Sequence, residues 1–179
     1  MGMKRLCRNT LGFLLLSATA STAVLAASVT VTVPAGAVWV DTGVYLEAGE
    51  TFRVEARGEW SIALPDGRRC ETDADGCLQV RYRGRPVGQL LGRVAGIPGP
   101  ADMALGKAGE YRANAPGILY LESNHLWWLR NQHRGEITVS IHGGSPATDS
   151  LRARVREAAL EAARSTALEY CNRVRRRLG

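Results

Sequence analysis

The stretch "ESNHLWWLRNQHRG" gathers the side chains of this chain best suited to chemistry: Asn124, His125, Trp127, Trp128, Gln132 and His133 fall within ten positions. Two imidazoles at the ends of one loop can come close enough to share a transition metal, with His142 as a distant third donor. A closed zinc or copper site needs more than that, and most such pairs are polar loop residues, so no metal is expected. The tryptophans suggest different chemistry. An indole face stacks on the apolar C–H face of a sugar ring without any metal, and the same surface would serve a protein partner equally well. These six residues form the candidate ligand-binding set, for a carbohydrate or an envelope protein.

Catalysis finds little footing. The sequence contains no G-x-S-x-G, no H-E-x-x-H and no phosphate-cradling glycine loop, and its histidines have no nucleophile at a defined spacing. Glu71 and Asp73 are a carboxylate pair, but glycoside chemistry depends on a separation that a sequence does not supply. The "ETDADGC" segment carries D-x-D-G without the further positions and flanking helices of an EF-hand, and reads as a solvated turn. A binding protein without a cofactor is expected, rather than an enzyme.

Strands must position these residues. From 29 to 142 the chain alternates with period two, punctuated by Gly and Pro, as half-buried antiparallel strands do. "TFRVEAR" sets Phe52, Val54 and Ala56 opposite Arg53, Glu55 and Arg57. "LQVRYRG" sets Leu78, Val80 and Tyr82 opposite Gln79, Arg81 and Arg83, and "GEITVSIH" turns Ile137, Val139 and Ile141 inward with His142 outward. "SVTVTV", "GVYLE", "PVGQLLGRVAG" and "GILYLES" add strands, with turns at "EAGE", "KAGE" and "NAPG". About eight short strands at this spacing predict an all-β sandwich or small barrel over 28–144. Cys70 and Cys77 flank a short loop and are expected to form a disulfide worth ~2 kcal/mol. Cys171 is then the odd one, a buried thiol or a link between chains.

After a small, polar linker at 145–149 the period changes to that of a helix spanning 150–178, capped by Asp149 or Ser150. Leu151, Val155, Ala159, Ala162, Tyr170, Val174 and Leu178 make one stripe, with Thr166 as its polar gap. A helix of about 28 residues is roughly 42 Å long, more than a small sandwich covers, so part of it projects. Its closing "RVRRR" places cations at the negative end of the helix dipole. The stripe is Ala-rich, which favours packing or self-association over lipid binding.

The chain opens with Lys4, Arg5 and Arg8 followed by a short apolar run, the pattern of a signal peptide over 1–26 with cleavage after Ala26. No transmembrane segment is expected in the mature chain, which would be secreted or periplasmic. Residues 28–144 hold twelve Lys/Arg against thirteen Asp/Glu, and 145–179 hold eight Arg against four acids. The near-neutral main domain offers no electrostatic footprint for nucleic acid.

The order "GAVWVDTGVYLEAGETFRVEARGEWSI", the cysteine pair, "PVGQLLGRV", "AGEYRANAPGILYLESN" and "RGEITVSIHG" resembles the PA-IL-like galactose-binding lectin family over about 37–143. That resemblance implies a jelly-roll-like antiparallel β-sandwich and, in typical members, a calcium ion that coordinates sugar hydroxyls. The positions of the implied calcium ligands read Asn124, His125, Gln132, His133 and Arg134, with Leu46 where a Tyr is expected and Tyr45 one place off; Leu129 could still offer its carbonyl. Calcium takes six to eight oxygens including carboxylate, and this set has no acid. The segment before the first cysteine, which in typical members supplies further sugar contacts, shrinks to "IALPDGRR". The expectation is an exported, lectin-like module that binds a glycan or envelope component without calcium. The alternative is a structural or assembly protein of the cell envelope that oligomerises, or binds a protein partner, through its C-terminal helix.

Overall fold

The computed structural model describes residues 28–95 and 102–178. Two antiparallel sheets enclose one core. The first runs β1 (Ser28–Pro34), β11 (Arg134–His142), β3 (Thr51–Ala63) and β4 (Arg69–Thr72), with β9 (Ala108–Arg112) also paired to β3. The second runs β12 (Ser145–Pro146), β2 (Val40–Leu46), β10 (Gly117–Ser123), β7 (Leu90–Ala95) and β8 (Met103–Ala104). A separate two-stranded ribbon joins β5 (Cys77–Tyr82) to β6 (Arg85–Val87). The helix α1 (Asp149–Leu178) follows. The all-β sandwich with an appended helix is therefore the architecture of the chain. Its strands number twelve among the described residues against the expected eight: "PVGQLLGRVAG" breaks at Gly88, where φ is +82°, into strands of different sheets, and the short β4, β8, β9 and β12 are additional.

Alternation explains the core. Phe52, Val54 and Ala56 on β3 face Ile137, Val139 and Ile141 of β11 on the same buried side, and Leu119 and Leu121 of β10 close it from the second sheet. Each such side chain removed from water contributes roughly 1.5–3 kcal/mol. Trp60 is fully buried among them, its indole N–H donating to the Asp73 carbonyl at 3.1 Å. Gly58 lets β3 and β11 approach: φ there is +115°, and a Cβ would sit 2.7 Å from the Glu136 carbonyl oxygen.

Four expectations need correction. Leu78 does not face the core but is exposed, because the pairing of β5 with β6 slips between Cys77 and Arg81, while Val80 and Tyr82 beyond it still pack against the core. "KAGE" is not a turn: Ala108 begins β9, which takes up the backbone groups of β3 from Thr51 to Glu55. The helix is capped neither by Asp149 nor by Ser150. Thr148 does this, its Oγ1 accepting from the Leu151 amide at 3.3 Å and its carbonyl from Arg152 at 2.9 Å, which satisfies amides that the first turn leaves unpaired. Cys171 is not buried but exposed and unpaired, while Cys70 and Cys77 form the disulfide. The segment 1–26, read as a signal peptide, lies outside the described residues.

The helix touches the sandwich only through its first turns. Arg152 pairs with Asp41 and donates to the Ala147 carbonyl at 3.2 Å, while Leu151, Val155 and Ala162 are half-buried and most of the remainder is exposed. No described helix is long and apolar enough to cross a membrane.

Candidate functional site

The loop between β10 and β11 is a single 3₁₀ turn, Trp127–Gln132, with no buried residue of its own. It is held from beneath. Leu126 is buried at its start and His133 at its end, and Arg69 donates to the Gln132 carbonyl at 2.9 Å. Gly36 packs against its back, where any Cβ would overlap the Arg130 carbonyl oxygen. Two short-range bonds, Leu129 N–H to Leu126 O at 2.8 Å and His133 N–H to Arg130 O at 3.3 Å, close the turn.

The six candidate residues divide by depth. Trp127 and Trp128 are 63% and 52% exposed, and Gln132 is exposed beside them. Asn124, His125 and His133 are buried. Asn124 Nδ2 lies 2.9 Å from Tyr82 O, 3.1 Å from Arg85 O and 2.9 Å from Pro86 O. An amide nitrogen has two protons for these three acceptors, so one is shared and neither remains for a ligand. The Asn124 backbone adds bonds to Gly88 and Gln89, each 2.8 Å, so the residue latches the β5–β6 ribbon onto β10.

The buried imidazoles meet edge to face, with ring centroids 5.2 Å apart. His125 Nδ1 is 2.9 Å from the Ser123 carbonyl, which can only accept, so the proton sits on Nδ1. His133 Nδ1 accepts from the Ala63 amide at 3.1 Å, so its neutral ring carries the proton on Nε2, and that buried atom has no partner. Burial is the largest influence holding His133 down, to about 4, and the neighbouring His125 adds to it. His125 is also held below its ordinary value, chiefly by burial, although the Ser123 carbonyl opposes this. Both rings are neutral at neutral pH.

This donor set does not fit calcium. The positions that the resemblance assigns to ligands hold no carboxylate, and among them stand two ring nitrogens already tied to the backbone, the Arg134 guanidinium and an aliphatic Leu46 sealed in the core, where a hard cation needs carboxylate oxygens. Among the described residues no group of three or more His, Cys, Asp or Glu side chains is arranged around a metal-sized space.

Sequence reasoning set Tyr82 beside Leu78 and Val80 on one side of a strand and left it out of the candidate set. Its ring meets Trp128 edge-on at 5.9 Å, and Trp128 meets Trp127 at 6.0 Å with planes at 88°. Arg83 lies over the Tyr82 ring at 5.0 Å. The result is a ladder of three alternating aromatic planes ending in a cation. The "YRG" turn, with Arg83 at φ +52°, was the available signal.

Two other features share the surface. Arg93 lies 3.9 Å over Trp39 and pairs with Asp102 at 2.8 Å. Nearby Glu122 has its carboxyl raised by burial, against the opposing pull of the Trp39 amide and Arg93, and one of its oxygens is buried without a partner. Glu59, Glu71, Asp73 and Asp75 line a groove of ≈ 610 Å³ beside the disulfide, in which Asp73 is paired with Lys107 at 3.0 Å.

No family model matches the chain, and no curated protein does. Among solved structures it is similar to the N-terminal domain of EclA, described as a PllA-like lectin, with TM-score 0.49 and 21% identity over 64% of this chain and 94% of that one. A functionally unknown conserved protein from Bacillus anthracis str. Ames, in a mutant form, is similar at TM-score 0.36 and 13% identity, over 67% of this chain and 22% of that one. A second structure with that description and organism gives 0.33 and 15%, over 60% and 16%.

Proposed function

We propose that this chain is an exported carbohydrate-binding module, not an enzyme, that engages a glycan through Trp127, Trp128 and Tyr82 without calcium. One observation carries the reading: two half-exposed indoles stand on a short turn whose every anchor lies beneath it. Large aromatic surface held rigidly in solvent costs little ordering on binding and suits the C–H face of a pyranose. Arg83 lies against Tyr82, where its donors can meet ring hydroxyls. The Cys70–Cys77 bond suits an oxidising compartment, the periplasm or the medium. The lectin resemblance of the sequence supports the ligand class, while the nitrogen-rich donor set supports the loss of the cation.

A glycan array probed with the labelled chain, with and without chelator, tests this. Binding should be indifferent to chelator, and Trp127→Ala with Trp128→Ala should weaken it at least about 100-fold, two interface tryptophans each being worth around 1.4 kcal/mol or more. Binding that requires calcium, or that survives the double change, refutes the proposal. Absence of any glycan binding, with retention of an envelope protein on the same tryptophans, would transfer the patch to a protein partner.

A further inference from the structure

The stripe read from the sequence as one face of α1 is two faces. Leu151, Val155 and Ala162, half-buried, lie on the side turned to the sandwich. On the opposite side Leu160, Arg164, Ala167, Cys171 and Val174 follow at intervals of four, three, four and three residues, the a/d spacing of a two-stranded coil. Glu157, Arg164 and Cys171 take the a positions, and Leu160, Ala167 and Val174 the d positions. In that frame Glu161, Leu168 and Arg175 fall at e, and Arg156, Ala163 and Tyr170 at g. Leu160, Leu168 and Tyr170 are 54%, 65% and 66% exposed, so the large apolar side chains that the helix shows to solvent all lie along this seam.

We propose that the seam is the interface of a parallel homodimer, a second copy of this chain being its occupant. Charge complementarity selects that partner and that direction. In a parallel pair, g of one helix meets e of the next heptad in the other, which joins Arg156 to Glu161, Ala163 to Leu168 and Tyr170 to Arg175. These are one ion pair, one apolar pair and one cation-on-ring contact, each made twice by the two-fold axis. The parallel arrangement also sets Cys171, an exposed free thiol, against its own copy. An antiparallel overlap of the same seam, centred on Ala167, would set Cys171 against Ala163 and forfeit those pairings. Glu157 and Arg164 are the charged residues at a positions, each set against its own copy in the parallel pair; they weaken it and fix its register.

This inference stands apart from the carbohydrate reading, and a chain that bound glycan as a monomer would keep that reading and sink this one. The test uses the full chain. Sedimentation equilibrium of the Cys171→Ser chain should give a concentration-dependent dimer, abolished by Leu160→Glu and tightened at least about tenfold by Arg164→Leu. Oxidised glutathione, taking up two electrons and two protons as it becomes two thiols, should link the unaltered chain through Cys171. It should also link a Leu160→Cys, Cys171→Ser chain to itself. A monomer throughout, an association indifferent to Leu160→Glu, or Leu160→Cys chains that cross-link to Val174→Cys chains more readily than to themselves would overturn it.

Discussion

The β10–β11 loop and the C-terminal helix both expose large apolar side chains, and they are held in opposite ways. The loop is fastened at each end and behind by buried groups: Asn124 to the ribbon, His133 to β3, Leu126 to the core and Gly36 to its back. The helix is fastened at its first turns alone, by Thr148 and by Arg152 on Asp41. Secondary-structure regularity is therefore no guide to tertiary fixation. The irregular segment is the rigid one, fit to present a preformed surface to a small ligand, while the regular one leaves its outer face to a second chain.

The sharpest way to break this contrast is to cut the latch. Asn124→Ala removes both amide protons from three partly buried carbonyls at once, a loss of about 4 kcal/mol, each deprived group costing on the order of 1–3. The thermal midpoint should fall by roughly 8–16 °C for a chain of this size. A fall of less than about 2 °C would mean that the ribbon and loop are not held as described.

Acid should loosen the loop next. With the folded pKa of His133 depressed to about 4 from an ordinary 6.5, the unfolded chain binds more protons between those values, so stability falls as pH drops from 6.5 towards 4. The loss approaches ~3 kcal/mol at pH 4, and it saturates below that. Charging the ring also places a proton on Nδ1 against the Ala63 amide. His133→Asn, whose side-chain oxygen can accept the same amide, should flatten the dependence in denaturant titrations at pH 7 and pH 4.5. A slope unchanged by His133→Asn would place the titration elsewhere.

The same contrast governs what the sequence disclosed. Alternation in "TFRVEAR" and "GEITVSIH" placed Phe52, Val54, Ile137, Val139 and Ile141 correctly, because a strand's period forces one face inward wherever a sheet covers it. It misled at Leu78, where the pairing of β5 with β6 slips between Cys77 and Arg81, an irregularity that residue types do not announce. Trp127 and Trp128 were legible as a pair of loop aromatics; that both stand exposed is what folding adds. The depth of Asn124, His125 and His133 was not, since their partners are carbonyls and amides at 82–86 and 63, and backbone groups leave no trace in residue types. Tyr82 was missed for the same reason: only folding brings it to Trp128.

The smallest expected effect is the most direct probe of how the helix is tethered. Burial raises the Asp41 carboxyl, but its bonds to Arg152 and the Gly43 amide outweigh this and hold it below the ordinary value, so the pair contributes at neutral pH and is lost as pH falls through that lowered value. Both partners are about a third exposed, so solvent screening keeps the contribution of the pair small. Asp41→Asn should therefore leave the midpoint of the sandwich within about 2 °C, while amide hydrogen exchange in the first turns of α1 speeds several-fold and that of β3 and β11 stays unchanged. If β10 and β2 lost protection together with the helix, then α1 would be an integral layer of the fold, and the division between a fixed loop and a tethered helix would fail.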